Sequence, residues 1–317
     1  MAGGTNEREH GTSLGPGAEF DLIREMVRRW GSRAAGIGDD AALLDVPRGE
    51  QLVVSSDVSV DGVHFRREWL SAREIGYRAT AAAISDLAAM AASPLGILTT
   101  FSVPPHWSSV LPEIADGVGD AVAASGTHVL GGDLSASAGL SIGVTVLGSC
   151  ARPLLRTGAR TGDAVYVTGV LGGPRAALDA WLAGHEPDDV ARSRFARPQP
   201  RLRGARWLLA AGATAGIDIS DGLLGDAGHL AAASGVRLHL DLDRLPVVAG
   251  STPAHAAGSG EEYELLVCAP AGLDVAAFQR TFALPLTGIG EVRPGEPDVV
   301  ATAGGERVAW GGGYSHF

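Results

Sequence analysis

Aspartates in short, apolar, glycine-marked segments are the residues of this chain best suited to chemistry. The segments are Gly36–Asp40, Ser55–Asp57, Ile84–Leu87, Gly131–Asp133 and Ile217–Gly222. A carboxylate among apolar residues is costly to bury unless a cation accompanies it. The chain has no lysine: its 25 basic residues are all arginine, and none lies inside these segments. A hard divalent cation such as Mg²⁺ is therefore the natural partner if these aspartates converge.

Taken singly, each aspartate also fits an ordinary role, because Asp beside Gly is common in turns and at helix caps. As a set they are more informative, since they fall at predicted strand ends, in the turns that follow, or on a helix packed nearby. Open α/β sheets bind ligands at strand ends, and Mg²⁺ there favours substrate phosphates. Two mechanisms are excluded by the missing lysine, namely a Walker A phosphate loop and a Schiff base.

Composition limits the class of protein. The chain has 317 residues, of which 45% are hydrophobic and 19% charged, which predicts a folded globular protein of two domains, or of one large domain. A net charge of −11 disfavours nucleic acid and anionic membranes as partners. The most apolar stretch, Ala79–Val103, contains Asp86 and Pro94, so we expect a buried helix and a strand there rather than a membrane span. Having only two cysteines, far apart, fits a cytoplasmic protein.

The pattern of elements predicts an α/β protein of α+β layers, because helices and strands alternate throughout. We expect a disordered tail over residues 1–18, an N-terminal domain over 19–150 with a mixed sheet, and a C-terminal α/β domain over 151–317. Ser71 and Glu74 form a capping-box signature that opens a long Ala-rich helix ending before Pro94. Asp86 lies inside this helix. Strands are predicted at Ala41–Val46 and Gln51–Val58, and Gly131–Asp133 is expected between two further strands.

Longer motifs, in the order in which they occur, resemble the thiamine-monophosphate kinase family, a relative of the aminoimidazole ribonucleotide and selenophosphate synthetases. The motifs are Gly-Ile-Gly-Asp-Asp-Ala-Ala-Leu-Leu (36–44), Ser-Asp-Leu-Ala-Ala-Met (85–90), Ile-Ser-Asp-Gly-Leu (219–223), Glu-Tyr-Glu-Leu (262–265) and Trp-Gly-Gly-Gly-Tyr-Ser-His-Phe (310–317). The last two favour this family over its relatives. The resemblance runs roughly from Glu19 to Phe317.

This resemblance implies that the protein phosphorylates thiamine monophosphate to thiamine diphosphate with ATP, by direct in-line transfer and with several Mg²⁺ ions. It implies metal ligands at Asp40, Ser55, Ser56, Asp57, Asp86, Asp133, Asp218 and Asp221. It implies ATP contacts from Gly132, Arg156 and Ser220, and thiamine-phosphate contacts from His64, Glu261 and Tyr314. An aromatic ring such as that of Tyr314 suits a cationic thiazolium. It also implies a homodimer joined through the N-terminal strands, near Val53 and Val144.

Other interpretations remain open at this point. By residue type alone, His64 fits a surface histidine and the acidic run Glu261–Glu264 fits a solvated edge. Ala83 and Leu134 replace residues usual in the family, an Asn and a Thr. They leave room for a non-catalytic nucleotide- or metal-binding relative, or for another ATP-dependent synthetase of the superfamily. The retained aspartates favour the kinase.

Overall fold

The computed structural model describes residues 17–308 of the chain. They form two β-sheets with helices, a mixed α/β arrangement as the sequence predicts. The predicted tail therefore lies almost entirely outside the described residues, and so does Tyr314. Within the described part, no helix combines the length and hydropathy needed to cross a membrane.

The first sheet has four strands from the N-terminal half. They are β1 (Gln51–Val60), β2 (Ser93–Val103), β3 (Val129–Ala136) and β4 (Ser141–Cys150), in the order β1-β4-β2-β3. Only β2 and β3 run parallel, so the sheet is mixed. Alternate residues of β4, such as Ile142, Val144 and Val146, are buried in the core. This core also includes residues of α1 (Ala18–Trp30), α2 (Ala72–Ala89) and α3 (Leu111–Ser125), while the other face of the sheet stays partly exposed.

The second sheet has seven strands, all from the C-terminal half. They are β5 (Ala164–Thr168), β6 (Ala215–Asp218), β7 (Arg237–Asp241), β8 (Leu265–Ala269), β9 (Leu286–Arg293), β10 (Asp298–Ala303) and β11 (Glu306–Arg307), in the order β11-β10-β7-β9-β5-β8-β6. The helices of this half are α4 (Gly173–Leu182), α5 (Asp189–Ala196), α6 (Leu202–Ala210), α7 (Leu223–Ser234), α8 (Pro253–Ala257) and α9 (Val275–Phe282).

Two local predictions from the sequence are wrong. Residues 41–46 do not form a strand; the segment is irregular, and Leu43 is 96% exposed. Its apolar residues suggested a strand, but no neighbouring strand in the described chain pairs with it.

Gly131–Asp133 does not lie between two strands but inside β3. Strands β2 and β3 approach each other closely at Gly132, where a Cβ atom would lie 1.8 Å from the backbone oxygen of Thr99 on β2. Glycine is therefore needed here for the two strands to pair, and it does not mark the end of a strand.

Helix α2 is the central element that orients the site. It begins with the predicted capping box, in which the Glu74 N–H donates to Ser71 Oγ and the Ser71 N–H donates to the Glu74 carboxylate. Gly76 lets α3 approach closely, since a Cβ there would lie 2.0 Å from the carbonyl oxygen of Ile114. Nearly every residue from Ile75 to Ala88 is buried. A helix buried all round is held in one position and rotation.

The C-terminal half packs directly onto this helix. Trp181 of α4 and Phe195 of α5 belong to the same core cluster as α2, and Trp181 stacks on Trp69 with 5.4 Å between ring centroids. Arg192 of α5 donates to both oxygens of Glu74, at 2.5 and 2.8 Å. The two halves are therefore joined at the N-terminus of α2 by both packing and charge.

We predict that Glu74→Gln destabilises the fold, by about 1–2 kcal/mol at neutral pH, since it weakens a charge-assisted hydrogen bond and a helix cap. The pKa of Glu74 is lowered from its ordinary 4.5 to about 2, chiefly by the hydrogen bonds from Arg192. A lowered carboxylate pKa contributes stability that is present above the ordinary value and is lost as the pH falls through the folded value. The difference in melting temperature between wild type and variant should therefore narrow from pH 4.5 towards pH 2.

Glu113→Gln, in the first turn of α3, is the control for this prediction. Equal effects of Glu74→Gln and Glu113→Gln on the melting temperature would contradict it.

Candidate active site

A cavity of about 740 Å³ lies between the two halves of the chain and is lined by five carboxylates, those of Asp57, Asp86, Asp218, Asp221 and Glu261. They come from β1, α2, the end of β6 and two loops of the C-terminal half. His64 and Ser220 line the same cavity. Seven of the residues singled out in the sequence are thus brought together at one place.

Serine hydroxyls hold two of these aspartates in position. Ser55 Oγ donates to Asp86 Oδ2 at 2.5 Å, and Ser85 Oγ donates to Asp218 Oδ2 at 2.6 Å. The second bond crosses from α2 to the end of β6, so it links the two halves of the chain at the cavity. The Ser55 hydroxyl orients a carboxylate in this structure, and the metal-ligand role expected for Ser55 stays a prediction.

Burial and nearby like charges both raise the pKa of aspartates in the cavity. Burial, and then the neighbouring Asp86, raise the pKa of Asp57 to about 6. Burial, followed again by the charge of Asp86, raises the pKa of Asp218 to about 6. Both carboxylates are therefore costly to ionise where they stand. A cation among them would relieve this cost, and the donor set of carboxylate and hydroxyl oxygens is the kind that Mg²⁺ prefers.

The loop that carries Ser220 and Asp221 is anchored by a carboxylate that sequence reasoning missed. Asp226, in the first turn of α7, is 2% exposed, and its Oδ2 accepts hydrogen bonds from the backbone N–H groups of Ser220 at 3.0 Å and Asp221 at 3.1 Å. Burial and the nearby Asp218 and Asp221 raise its pKa to about 7. Gly222 has φ 113°, a conformation available to glycine, and lets the chain turn from this loop into α7.

The segment that carries Glu261 is strained. Glu261 has φ 63° and Tyr263 has φ 53°, both unusual for residues with a side chain. The Glu261 N–H donates to the Ser220 carbonyl at 2.6 Å, and the Tyr263 N–H donates to the Ile219 carbonyl at 2.8 Å. Strained backbone of this kind persists only where surrounding contacts over-determine it, and it is commonly found at functional sites.

Two buried glutamates anchor this segment, so the interpretation of Glu261–Glu264 as a solvated edge is wrong for its middle and end. Glu264 is fully buried and pairs with Arg201 and Arg194, which outweigh its burial and hold its pKa below the ordinary value. Glu262 accepts a hydrogen bond from the Gly172 N–H at 2.5 Å and lies 3.2 Å from Arg194, yet burial still raises its pKa to about 7.

Glu261 itself is held by an arginine from the other half of the chain. Arg78 of α2 is 3% exposed and contacts Glu261 Oε2 at 2.6 Å. Arg78 also donates to the Phe195 carbonyl and lies 3.9 Å from the centre of the Phe195 ring. The Tyr263 hydroxyl donates to the same Glu261 oxygen at 2.5 Å. The signal for Arg78 was present in the sequence, because a single arginine within the apolar stretch Ile75–Ala88 of a helix indicates a buried partner.

His64 follows the end of β1 and lines the cavity, so it is not merely a surface histidine. Its Nδ1 accepts a hydrogen bond from the Val60 N–H at 3.1 Å.

The remaining residues from the sequence lie elsewhere. Asp40 and Gly132 line a separate pocket of about 810 Å³ on the outer side of the first sheet, where the Ser56 hydroxyl pairs with that of Thr145 at 3.0 Å. Asp133 is next to Gly132 on β3, and Ser135 Oγ donates to it. Arg156 is exposed, and its carbonyl accepts a hydrogen bond from Ser234 at the end of α7. The roles implied for these residues stay predictions.

Across residues 17–308, no three His, Cys, Asp or Glu side chains stand close enough together to hold a metal ion by themselves. This does not conflict with the donor chemistry of the cavity, because Mg²⁺ is usually bound by one or two carboxylates together with water and substrate phosphates. Of the residues named above, Asp57, Asp86, Asp218 and Asp221 are the ones that could hold such an ion in the cavity.

Comparison with known proteins places the chain in a class. Models described as the N-terminal and C-terminal domains of AIR synthase related protein match residues 38–150 and 160–302. The thiamine-monophosphate kinase of Rhodopirellula baltica is 37% identical over 309 residues, which is 90% of this chain and 92% of that protein.

Two solved structures agree with this assignment. Thiamine-monophosphate kinase from Stenotrophomonas maltophilia K279a has a TM-score of 0.81 and 35% identity, covering 92% of this chain and 98% of that one. AaThiL in complex with AMPPCP and TMP has a TM-score of 0.75 and 30% identity, covering 94% and 97%. The chain is thus built as an AIR synthase related protein of two domains, and it belongs to the thiamine-monophosphate kinase family.

We predict that Asp226→Ala lowers kcat/KM in a thiamine-monophosphate kinase assay by roughly tenfold or more, because it leaves two backbone N–H groups without an acceptor and lets the loop shift. Asp226→Asn keeps one acceptor oxygen and should recover most of the loss. His229→Ala, at an exposed position of the same helix, is the matched control. A lower melting temperature with unchanged kcat/KM in the folded Ala variant would show that Asp226 only stabilises α7.

Proposed function

We propose that this protein transfers the γ-phosphoryl group of ATP to thiamine monophosphate and releases thiamine diphosphate and ADP. The observation that carries the proposal is the cavity lined by Asp57, Asp86, Asp218, Asp221 and Glu261. It lies between the two halves of a chain that belongs to the thiamine-monophosphate kinase family. The complex of AaThiL with AMPPCP and TMP supports a site of this fold that accepts a nucleotide and a second phosphorylated ligand.

Mg²⁺ is part of this proposal. Asp57, Asp86, Asp218 and Asp221 would hold it, and when bound it would neutralise charge on the phosphates of both substrates. The raised pKa values of Asp57 and Asp218 support this, because both carboxylates gain from a cation. We propose that the ions enter together with the nucleotide, since the carboxylates alone do not form a three-ligand group within residues 17–308.

The residues of the chain mainly position the substrates. The attacking group is an oxygen of the substrate phosphate, which is already ionised near neutral pH, so no general base is required. This oxygen forms a bond to the γ-phosphorus while the bond to the bridging oxygen of ADP breaks, and no proton needs to move. Such transfer depends on alignment and on charge stabilisation rather than on covalent chemistry of the protein.

Glu261 and His64 are suited to the thiamine part of the substrate. A carboxylate attracts the cationic thiazolium ring, and Arg78 and Tyr263 hold this carboxylate in place. ATP contacts by Gly132, Arg156 and Ser220 are retained as proposals, of which Ser220 is supported by its place in the cavity. Tyr314 lies outside the described residues.

The two cysteines, Cys150 and Cys268, are both free and buried, which is compatible with a cytoplasmic protein.

We also propose a homodimer formed through the outer face of the first sheet. Three apolar residues of β1 project from this face: Leu52, Val54 and Val58 are 49%, 55% and 54% exposed. Leu98 on β2 extends the patch. A patch of this kind on a sheet is typical of a protein interface. Val144 of β4 is buried in the core, and the interface that we propose uses the opposite side of the same sheet.

The test of the proposed function is a direct product assay. With ATP, Mg²⁺ and thiamine monophosphate, we expect ADP and thiamine diphosphate, and no diphosphate from unphosphorylated thiamine. Phosphorus NMR distinguishes the products. Release of inorganic phosphate without thiamine diphosphate would refute the proposal, and so would activity with an amide or selenide acceptor in its place.

The same assay tests the carboxylates through Asp86→Asn. The variant keeps the shape of the side chain and removes one negative charge, so we expect kcat to fall by about a hundredfold or more and the Mg²⁺ requirement to rise. Glu113→Asn, on the surface of α3, is the control. An unchanged kcat and Mg²⁺ dependence in folded Asp86→Asn protein would remove Asp86 from the site.

The dimer is tested with Val54→Arg, which puts a charge in the centre of the apolar face. We expect light scattering to show a dimer for the wild type and a monomer for the variant, because a stable interface buries upwards of about 1,000 Å² and does not tolerate an unpaired charge. Leu182→Arg, at the 62% exposed end of α4, should leave the mass unchanged. A monomeric wild type at micromolar concentration would contradict the proposal.

A further inference from the structure

The charges that line the cavity are unbalanced. Five carboxylates face it, while Arg175 is its one basic side chain other than histidine among the residues that the structure describes. No lysine exists in the chain to help. Arg78 is close to the site but does not line the cavity; it is committed to Glu261 and to the Phe195 carbonyl and ring. Arg175 is therefore the one guanidinium that the described cavity offers to an anionic ligand.

The position of Arg175 follows from the turn that precedes it. Strand β5 ends at Thr168, and the chain passes through a glycine-rich turn into α4. Gly172 has φ 94°, and its N–H is tied to the buried Glu262. The hydrogen bond to Glu262 holds this turn in place. The turn places Pro174 and Arg175, in the first turn of α4, at the wall of the cavity.

The present partner of Arg175 can be exchanged. Its Nε lies 2.8 Å from Asp179 Oδ1, one turn along α4, and both side chains are close to half exposed, at 46% and 40%. An exposed ion pair of this kind is weak. Asp179 has a second partner as well, because its Oδ2 lies 2.9 Å from His255 Nε2 on α8. Asp179 therefore keeps a hydrogen bond when Arg175 leaves.

We propose that Arg175 is a phosphate-recognition residue of this cavity: its guanidinium leaves Asp179 and binds a phosphate group of the ligand, while His255 retains Asp179. The inference deepens the proposed function and depends on it for the identity of the ligands. A planar guanidinium can donate two parallel hydrogen bonds to phosphate oxygens, and such charge-assisted bonds are among the strongest available to a side chain. The phosphate belongs either to thiamine monophosphate or to ATP, and the experiment distinguishes these sources.

The experiment measures binding by calorimetry, so that it does not depend on turnover. Wild type and Arg175→Gln are titrated separately with thiamine monophosphate, unphosphorylated thiamine and Mg²⁺–ATP. We expect the affinity for one phosphate-bearing ligand to fall roughly tenfold to a hundredfold, as when a hydrogen bond to a charged group is lost. The affinity for thiamine should not change. Arg175→Lys should recover only part of the loss, because an ammonium cannot form the paired bonds.

Two further variants separate recognition from structure. Arg280→Gln, at an exposed position of α9, carries the same loss of charge away from the cavity and should bind all three ligands like wild type. Asp179→Asn frees Arg175 from its carboxylate and should bind the phosphate ligand as tightly as wild type or more tightly. If Asp179→Asn weakened binding as much as Arg175→Gln, the ion pair would be a structural element and the inference would fail.

The source of the phosphate follows from which titration changes. A loss confined to thiamine monophosphate assigns Arg175 to the acceptor phosphate, and a loss confined to Mg²⁺–ATP assigns it to the nucleotide. Equal losses for thiamine and thiamine monophosphate, or no loss for any ligand, would overturn the inference. These results are independent of the product assay: a wild type that binds thiamine monophosphate but forms no thiamine diphosphate would refute the proposed function alone.

Discussion

Crowding of carboxylates in a partly buried cavity is the constraint on which the rest of this structure depends. Burial, and then the neighbouring charge of Asp86, raise the pKa values of Asp57 and Asp218 to about 6. By our proposal, cations and phosphates offset the cost of these carboxylates when they occupy the cavity. Serine hydroxyls, backbone N–H groups and a buried arginine therefore hold its walls, as the bonds of Ser55, Ser85 and Arg78 illustrate.

Helix α2 connects the carboxylates of the cavity to contacts between the two halves of the chain. Its capping end binds the C-terminal half through Glu74 and Arg192, its middle holds Glu261 through Arg78, and its last turns carry Ser85 and the aspartate that follows. Because the helix is buried and packed tightly on α3, these contacts share one rigid support. A movement of either half against the other would alter all of them together, because the contacts between the halves and the walls of the cavity share this one helix.

Much of the fold could be predicted from the sequence, because its signals are local. The capping box of α2 and the apolar run that predicts a helix and a strand over Ala79–Val103 act over a few residues. The strand expected at Ala41–Val46 failed because a strand also requires a neighbour to pair with, and local composition carries no information about that. No element was predicted over the helix Asp189–Ala196, whose Phe195 packs into the core shared with α2.

In the candidate site, too, some residues could be predicted from their local sequence and others could not. Glycine-marked aspartates such as Asp57 and Asp218 could be found from their surroundings in the chain. The residues that hold them could not, because their partners are distant in sequence: Arg78 meets Glu261 across 183 positions, the difference between their numbers. Arg175 was missed for a further reason, since its importance depends on the absence of other cations from the described cavity. Such a property belongs to the assembled surface and not to any segment.

The strained Glu261 segment is flanked by arginines, of which Arg78 is buried and Arg194 and Arg201 are partly buried. Glu261 and Tyr263 have positive φ, and strain of this kind costs of order 1–3 kcal/mol for each residue. Glu264 offsets it through its pairs with Arg194 and Arg201, which would be unfavourable if either charge were left alone. Arginine suits this role better than lysine, because one guanidinium can satisfy several oxygens at fixed angles and does not lose its proton on burial. The same chemistry recurs at Arg78 and at Arg175, so a chain without lysine uses arginine both to hold its carboxylates and, by our inference, to recognise its substrate.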